Sequence, residues 1–412
     1  MNDIKQDIKK RHKNLTEFRY IAVGFFLIIL SGAIMLSLPF SSRDGQWTNF
    51  LDSFFTATSA TCVTGLVVFD TFTHWSIIGQ LVILVLIQIG GMGFISIGVA
   101  FSMLLHKKIG LRQRDLMQES INALEIGGIV RLFRIIIGGT FLIEGIGAVL
   151  LAIRFIPDFG ILRGIYFSVF HSISAFCNAG FDLMGINEEY SSFTKYAADP
   201  LVNITIMLLI IIGGIGFTIW NEVRTKKLKL SRYSLHAKIV ISTTLILVFG
   251  GALLMYIFEK NNTIAGMDTP GAIFASLFGS VTARTAGFNT VDTGALTPAG
   301  KLLTIVLMFI GGSPGSTAGG IKTTTMAVMI IYIFSYLRGS NGCNVFGRKI
   351  SSEVIKKAGM VLIINLVLGL TAVIAILATS NMRMDDVLFE VYSAISTVGM
   401  TTGITRDLNT AG

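Results

Sequence analysis

Ser59-Ala-Thr-Cys-Val-Thr-Gly65 is a hydroxyl-rich, uncharged stretch that follows a short apolar segment and ends in glycine. Related stretches return at Ser174-Ala-Phe-Cys-Asn-Ala-Gly180, Val281-Thr-Ala-Arg-Thr-Ala-Gly287 and Ser393-Ala-Ile-Ser-Thr-Val-Gly399. Their glycines are 115, 107 and 112 residues apart, which indicates a fourfold internal repeat. Loops of this kind are tolerated at membrane depth only where their carbonyl groups line a polar cavity. The repeat therefore predicts four loops around one central axis.

The composition indicates a protein that crosses the membrane several times. Only 14% of the 412 residues are charged and 52% are hydrophobic, whereas about a quarter of the residues in soluble domains carry a charge. Six apolar runs are long enough to cross a hydrocarbon core of about 30 Å. They cover residues 20–38, 81–105, 135–153, 201–220, 239–258 and 361–379. A seventh run, 302–337, is interrupted by glycines.

The positive charges indicate which side of the membrane each connection occupies. Of the 33 lysines and arginines, 23 lie in residues 1–19, 106–134, 224–238 and 338–357. Because cytoplasmic loops carry an excess of lysine and arginine, these segments and the N-terminus are predicted to be cytoplasmic. The glycine loops are then near the extracellular face. This distribution favours an orientation signal over nucleic-acid binding, despite the net charge of +9.

A second motif recurs in phase with the loops, as Ile89-Gly90-Gly91, Ile212-Gly213-Gly214 and Ile310-Gly311-Gly312. Each repeat is therefore predicted to contain a spanning helix (M1), a half-length pore helix, a glycine loop and a second spanning helix (M2). The first two glycine pairs are interpreted as sites of close helix packing. A fourth pair is expected near position 423, so the final M2 helix is expected to be absent from this chain.

These motifs divide the chain into four repeats around a pseudo-fourfold pore. The predicted segments are a cytoplasmic N-terminus (1–19), repeat 1 (20–110), repeat 2 (111–230), repeat 3 (231–345) and an incomplete repeat 4 (346–412).

The four loops are predicted to form an ion-selectivity filter, because main-chain oxygens gathered around an axis can replace the hydration shell of a cation. The alternative is four tight turns between helices. Each loop has one glycine where a tetrameric potassium channel has TVGYG, which predicts weaker discrimination between K⁺ and Na⁺. The predicted filter residues are Thr61, Cys62, Val63, Thr64, Gly65, Phe176, Cys177, Asn178, Ala179, Gly180, Arg284, Thr285, Ala286, Gly287, Ser396, Thr397, Val398 and Gly399.

The third M2 run contains a stretch that cannot remain helical. Residues 311–320 contain five glycines and one proline, which cost about 1 and 3 kcal/mol each in a helix. Among the M2 runs this is the only one expected to break, and it would form a loop across the pore. Ile321 separates Gly320 from Lys322, so the phosphate-loop pattern fails and no nucleotide is expected on this chain. Lys322 is interpreted either as part of this loop or as a residue that extends to the cytoplasmic face.

The remaining polar residues suggest structural roles. Arg284 is expected to point behind its loop and to donate hydrogen bonds to pore-helix carbonyls, because a cation in the filter would block K⁺. Glu144 is interpreted as an interhelical partner and His171 as a satisfied buried histidine. The three cysteines suggest no disulfide framework. The histidines show no metal spacing, and no enzyme site is indicated.

The four loops resemble those of the Trk/Ktr/HKT potassium transporter superfamily, most closely its KtrB-type membrane subunits. The motifs Leu86-Ile-Gln-Ile-Gly-Gly-Met-Gly-Phe94, Ile212-Gly-Gly-Ile-Gly-Phe-Thr218 and Arg284-Thr-Ala-Gly-Phe-Asn289 support the resemblance. It implies a pore within each protomer, a homodimer, K⁺ uptake often aided by Na⁺, and a cytosolic ring of KtrA-type nucleotide-binding subunits. It also implies an intramembrane gate at 311–322. The gate residues would be Gly311, Gly312, Ser313, Gly315, Ser316, Thr317, Gly319, Gly320 and Lys322.

The function predicted from the sequence is K⁺ uptake across the cell membrane, down the electrochemical gradient, with the nucleotide acting through the partner. One alternative is a secondary transporter that moves another small solute by alternating access. Such transporters are often built from inverted repeats, whereas these repeats all enter the membrane from one side. A further alternative is a nonconducting scaffold for the cytosolic ring.

Overall fold

The computed structural model describes residues 2–93, 96, 99, 129–227, 229–339 and 343–408. These residues form thirteen α-helices, five short 3-10 turns and one two-stranded hairpin. The predicted all-α class is therefore confirmed. Part of the predicted span 81–105 and most of the basic connector 106–134 lie outside the described residues.

In the first two repeats a long helix is followed by a short helix and then by a second apolar helix. The first repeat contains α1 (Asn2–Ser37), α2 (Phe50–Thr61) and α3 (Ile77–Met92). The second repeat contains α4 (Ile129–Phe159), α5 (Ile161–Phe176), α6 (Pro200–Gly214) and α7 (Phe217–Lys226).

The last two repeats follow the same order. The third contains α8 (Leu235–Glu259), α9 (Thr269–Thr282), α10 (Pro298–Phe309) and α11 (Thr323–Leu337). An antiparallel hairpin of β1 (Asn344–Val345) and β2 (Arg348–Lys349) leads to α12 (Ser352–Thr379) and α13 (Met384–Ile395). The 3-10 turns are Pro39–Ser41, Met184–Ile186, Thr194–Tyr196, Leu230–Arg232 and Ile404–Arg406.

Four helices in the described part of the chain are long and apolar enough to cross a membrane, namely the Arg19–Ser37 part of α1, α4, α8 and α12. The bent pair of α6 and α7 makes a fifth candidate. Each of the short helices α2, α5, α9 and α13 packs against the long helix that precedes it, and α2, α5 and α9 also pack against the helix that follows. The short helices are therefore enclosed by the longer ones.

Polar caps mark where many of these helices begin. Side-chain oxygens accept main-chain N–H groups of the first turn at Asn49, Ser76, Asp199, Ser234, Asp268, Thr297 and Ser351. Such caps are typically worth about 1 kcal/mol each, because the first N–H groups of a helix have no partner within it. The caps of α2 and α9 therefore help to define the start of two short helices.

The second repeat corrects one prediction. The sequence predicts an M2 break only in repeat 3, but α6 and α7 meet at a bend of 96°. Gly216 lies at the break with φ of 102°, and the Phe217 N–H donates to the Gly315 carbonyl at 2.7 Å. The Trp220 Nε1–H donates to the Ile212 carbonyl at 3.1 Å. The third repeat therefore satisfies a group that the break releases, which is why the interruption is tolerated.

Candidate functional site

The four short helices end just before the four glycine loops. Their last residues are Thr61, Phe176, Thr282 and Ile395. A helix C-terminus carries about half a negative elementary charge, because its last carbonyl groups have no partner within the helix. Four such ends next to the loops favour a cation there.

The loops share an unusual backbone conformation. The residue two positions before each glycine has a positive φ: 51° at Val63, 58° at Asn178, 93° at Thr285 and 52° at Thr397. The glycines themselves have φ of 91°, 71°, 85° and 89°. The residue between them keeps a negative φ, and this alternation turns consecutive carbonyl groups toward the same side. Glycine adopts positive φ without a Cβ penalty, which explains its place at the end of each loop.

The glycines also show that the loops form a closed ring. A Cβ added to any of them would lie 2.2 to 2.6 Å from the carbonyl oxygen that precedes the next glycine. These contacts pair Gly65 with Ala179, Gly180 with Ala286, Gly287 with Val398 and Gly399 with Thr64. Because the last loop borders the first, the chain order runs once around a single axis.

Hydroxyl groups of the short helices brace the loops. The Ser59 hydroxyl accepts the Gly65 N–H at 3.1 Å and donates to the Leu66 carbonyl at 2.7 Å. The Ser174 and Thr282 hydroxyls donate to the carbonyl that follows their loop glycine, and Ser393 accepts the Gly399 N–H. Sequence reasoning assigned no role to these side chains. The sequence does contain a sign of this role, because a serine or threonine lies five or six positions before each loop glycine.

The first two glycine pairs allow close packing behind the loops, as predicted. A Cβ on Gly90 would lie 2.0 Å from the Thr61 carbonyl oxygen, and one on Gly213 would lie 2.0 Å from that of Phe176. These two carbonyls therefore face the M2 helices α3 and α6.

The segment 311–322 packs against the second and fourth loops. The Asn178 Nδ2 donates to the Thr317 hydroxyl at 2.7 Å, and that hydroxyl donates to the Phe176 carbonyl at 3.1 Å. On the other side, a Cβ on Gly319 would lie 1.9 Å from the Thr397 hydroxyl oxygen. The predicted interruption of the third M2 helix is confirmed, and it touches two of the four loops directly.

The segment is also tied to the broken helix of repeat 2 and to itself. The Ser313 and Thr317 N–H groups donate to the Gly214 and Gly213 carbonyls at 3.0 and 3.3 Å. The Lys322 Nζ donates to the Ala318 carbonyl at 2.6 Å. Of the two interpretations of Lys322, this contact supports the one that makes it part of the loop.

A small cavity of about 60 Å³ lies on the other side of the ring. All four loop glycines line it, together with Asp70 and Asp182. Asp70 accepts the Phe72 N–H at 2.9 Å and the Tyr190 N–H at 3.0 Å. Burial, together with the nearby Asp70 charge, raises the pKa of Asp182 to about 7. Sequence reasoning missed both carboxyl groups, since neither belongs to the repeated pattern.

Arg284 is buried, and it lines a small pocket behind the loop with Thr244 and Val281. The direction of its side chain agrees with the prediction, but the predicted hydrogen bonds do not form. Within the described residues its Nε has no acceptor. Most side chains that line this pocket are apolar, so they offer no acceptor to the Arg284 Nε–H.

Two other predictions are confirmed. Glu144 accepts from the Gln88 side-chain amide at 3.1 Å, so it is an interhelical partner that joins α4 to α3. The buried His171 ring contacts the Phe167 carbonyl at 2.7 Å through Nδ1 and accepts the Leu183 N–H at 3.0 Å through Nε2. The three cysteines are free. No group of metal-ligating side chains occurs among the described residues.

Comparison with known proteins assigns the family. Residues 7–412 match the TrkH family model, described as cation transport protein. This chain belongs to the TrkH cation transport family. The family is one of transporters, and the predicted absence of enzymatic activity agrees with it. This TrkH-family protein is a multi-pass membrane protein, because its family is one of transporters and several of its helices are long and apolar enough to cross a membrane.

Named relatives match nearly the whole of this TrkH-family chain. It is 39% identical over 411 residues to the potassium/sodium uptake protein NtpJ of Enterococcus hirae, covering 98% of this chain and 90% of that one. It is 41% identical over 394 residues to the Ktr system potassium uptake protein B of Bacillus subtilis, covering 95% and 87%. The potassium transporter TrkH of Vibrio parahaemolyticus has the same fold, with a TM-score of 0.68, 18% identity and coverage of 91% and 76%.

Proposed function

We propose that the chain takes up K⁺ across the cell membrane through the ring of four glycine loops. The observation that carries the proposal is the closed order of contacts from Gly65 through Gly180 and Gly287 to Gly399. The four helix C-termini add negative potential on the axis, and the carboxyl groups of Asp70 and Asp182 line the cavity at its mouth. The membrane potential supplies about 2.3 kcal/mol per charge per 100 mV, so uptake needs no ATP hydrolysis by this chain.

The proposed filter uses fewer residues than the sequence predicted. The main-chain oxygens of Val63, Asn178, Thr285 and Thr397 and of the two residues after each would coordinate dehydrated K⁺. Thr61 and Phe176 would support the loops from behind, because their carbonyl oxygens face Gly90 and Gly213. One named relative is a potassium/sodium uptake protein. We therefore propose that Na⁺ either passes through the same filter or aids K⁺ uptake.

Flux in liposomes tests this proposal. Purified protein in vesicles loaded with K⁺ should release it when a proton carrier balances charge, and external Na⁺ should replace K⁺ less well. Protein-free vesicles give the background. Growth of an uptake-deficient bacterium at limiting K⁺ would confirm the direction of transport. Monodisperse protein that conducts neither ion would overturn the proposal and favour a scaffold.

Removing a brace of one loop should weaken ion selection. Ser59→Ala loses two hydrogen bonds, each worth about 1 kcal/mol, so we expect roughly tenfold lower K⁺ over Na⁺ selectivity in vesicle flux. Ser53→Ala is a matched control, because the Ser53 hydroxyl is buried in the same helix and has no partner among the described residues. Equal effects of both variants would contradict the bracing role.

The segment 311–322 is proposed to be the gate of this pathway. Its contacts with the second loop at Thr317 and with the fourth at Gly319 support a position against the cytoplasmic side of the ring. Among the described residues, the main-chain hydrogen bonds between this segment and another repeat all go to repeat 2, at Gly213, Gly214 and Phe217. These bonds to one neighbouring repeat would have to break for the segment to move between α10 and α11.

The assembly and orientation are also proposals. A homodimer and a cytosolic KtrA-type ring follow from the resemblance, and one relative is named as a component of a Ktr system. The excess of lysine and arginine in the basic segments supports a cytoplasmic N-terminus. On the same side, the exposed Lys227 would contact the ring. Arg112 and Arg114 of the basic connector 106–134 would contribute to this contact, and both lie outside the described residues. Light scattering of the purified protein tests the homodimer, and co-purification with a KtrA-type subunit tests the cytosolic ring.

A further inference from the structure

A cavity lies away from the ring, between α8, α11 and α12. It has a volume of about 570 Å³. The polar side chains that line it are His236, Thr324, Thr325, Lys349, Ser351 and Lys357. Its apolar wall includes Ile239, Val328, Val354 and Val361. No acidic residue belongs to this lining, so the polar part of the cavity is basic.

Three helix N-termini open onto this cavity, those of α8, α11 and α12. Each N-terminus carries about half a positive elementary charge. Ser234 and Ser351 cap two of them, whereas α11 has no side-chain cap. Lys357 pairs with Glu353 at 2.7 Å, but both side chains are mostly exposed, which weakens that pair. The three helix ends and two lysines together favour an anion.

The apolar wall indicates a ligand with an apolar part, which a free inorganic anion lacks. Val354 and Val361 are 47% and 43% exposed and belong to α12, whose outer face is apolar along most of its length. The basic segments 224–238 and 338–357 flank the cavity and indicate the cytoplasmic membrane boundary. An amphiphile would place its charged head among the lysines and its tail against the valines.

We propose that this cavity binds an anionic phospholipid. The phosphate would lie near Lys349, Lys357 and the first turn of α11, and one acyl chain would lie along Val328, Val354 and Val361. Because α11 begins directly after the segment 311–322, the lipid would also hold the end of that segment in place. The proposal concerns binding and does not depend on which ion the protein carries.

Lipid titration tests the site. In neutral detergent, phosphatidylglycerol should raise the thermal midpoint of the whole protein, and phosphatidylcholine should not. Each lysine near an anionic headgroup contributes about fivefold to affinity, so Lys349→Gln with Lys357→Gln should weaken lipid binding roughly 30-fold. Native mass spectrometry should then show one fewer retained phosphatidylglycerol per chain. Lys356→Gln is the matched control, because Lys356 is exposed on the same helix and does not line the cavity.

The remaining outcomes decide against the proposal. Equal stabilisation by inorganic phosphate without lipid would identify a soluble anion as the ligand. Equal loss in the Lys356→Gln control would indicate a nonspecific charge effect. If the double variant changed the oligomeric state and left retained lipid unchanged, the cavity would be a contact with a second copy of the chain.

Discussion

Gly399→Ala should sharply reduce the selectivity of uptake for K⁺ over Na⁺. Gly399 has φ of 89°, and an added Cβ would lie 2.2 Å from the Thr64 carbonyl oxygen and 2.8 Å from the Gly65 Cα. Relief of this clash must move the first or the fourth loop, so at least one carbonyl leaves the ion. A hydrogen bond to a charged group is worth about 1.5–3 kcal/mol. A lost ion contact of similar size predicts a roughly tenfold to hundredfold fall in selectivity, measured as K⁺ and Na⁺ flux in vesicles.

Gly45→Ala is a control that shows whether the effect of Gly399→Ala comes from crowding in the ring or from backbone strain alone. Gly45 has φ of 71°, and no atom lies within 4 Å of an added Cβ. Gly45→Ala therefore imposes a similar left-handed conformation, at a cost of about 1–2 kcal/mol, without any contact to a loop. We expect it to transport K⁺ like the wild type. Wild-type selectivity in Gly399→Ala, with both proteins monodisperse, would show that the ring does not select the ion.

Opening the segment below the ring should increase flux without changing ion preference. Thr317→Val removes the bridge from Asn178 to the Phe176 carbonyl, and keeps the main-chain hydrogen bond from the Thr317 N–H to the Gly213 carbonyl. The loss of two hydrogen bonds of about 1 kcal/mol each would shift a closed state toward an open one by roughly tenfold or more. We expect a corresponding rise in K⁺ flux from protein without any partner.

Deletion of residues 313–318 should raise partner-independent flux further, because it removes the part of the segment that contacts the second loop. It also leaves the Phe217 N–H and the Gly213 and Gly214 carbonyls unpaired, so monodispersity must be checked by size exclusion. Thr317→Ser is the matched control, since it keeps the hydroxyl and should conduct like the wild type. Lower flux from a folded deletion variant would identify a structural role, and altered selectivity would place the segment within the filter.

Patterns local to the sequence account for much of the architecture. The spacing of the four loop glycines predicted the ring, and the apolar runs predicted the spanning helices. The glycine-rich stretch 311–320 predicted the interruption between α10 and α11. The apolar runs and the interruption depend on hydrophobic length and helix propensity over neighbouring residues, and the glycine spacing is a periodicity along the chain. A single sequence displays each of these directly.

Contacts between distant residues could not be predicted in this way. The Asn178–Thr317 bridge joins residues 139 positions apart, and the Tyr190–Asp70 hydrogen bond joins residues 120 apart. The break at Gly216 is stabilised by the carbonyl of Gly315, so the sequence around 201–220 alone reads as one continuous span. The close approach of Gly90 to the Thr61 carbonyl and of Gly213 to the Phe176 carbonyl is likewise a contact between separate helices that the local sequence does not display.

The sequence by itself determined that the chain is a membrane protein of four related units with one broken helix in the third. Those properties follow from the cost of charge in lipid and of glycine and proline in helices, which act residue by residue. Only the tertiary structure decided which loop glycines border one another, which carboxyl groups line the cavity beside them and what holds the segment 311–322 against the loops. These depend on where other repeats supply donors and close contacts, since a polar main-chain group buried in the membrane takes whichever partner packing brings within reach.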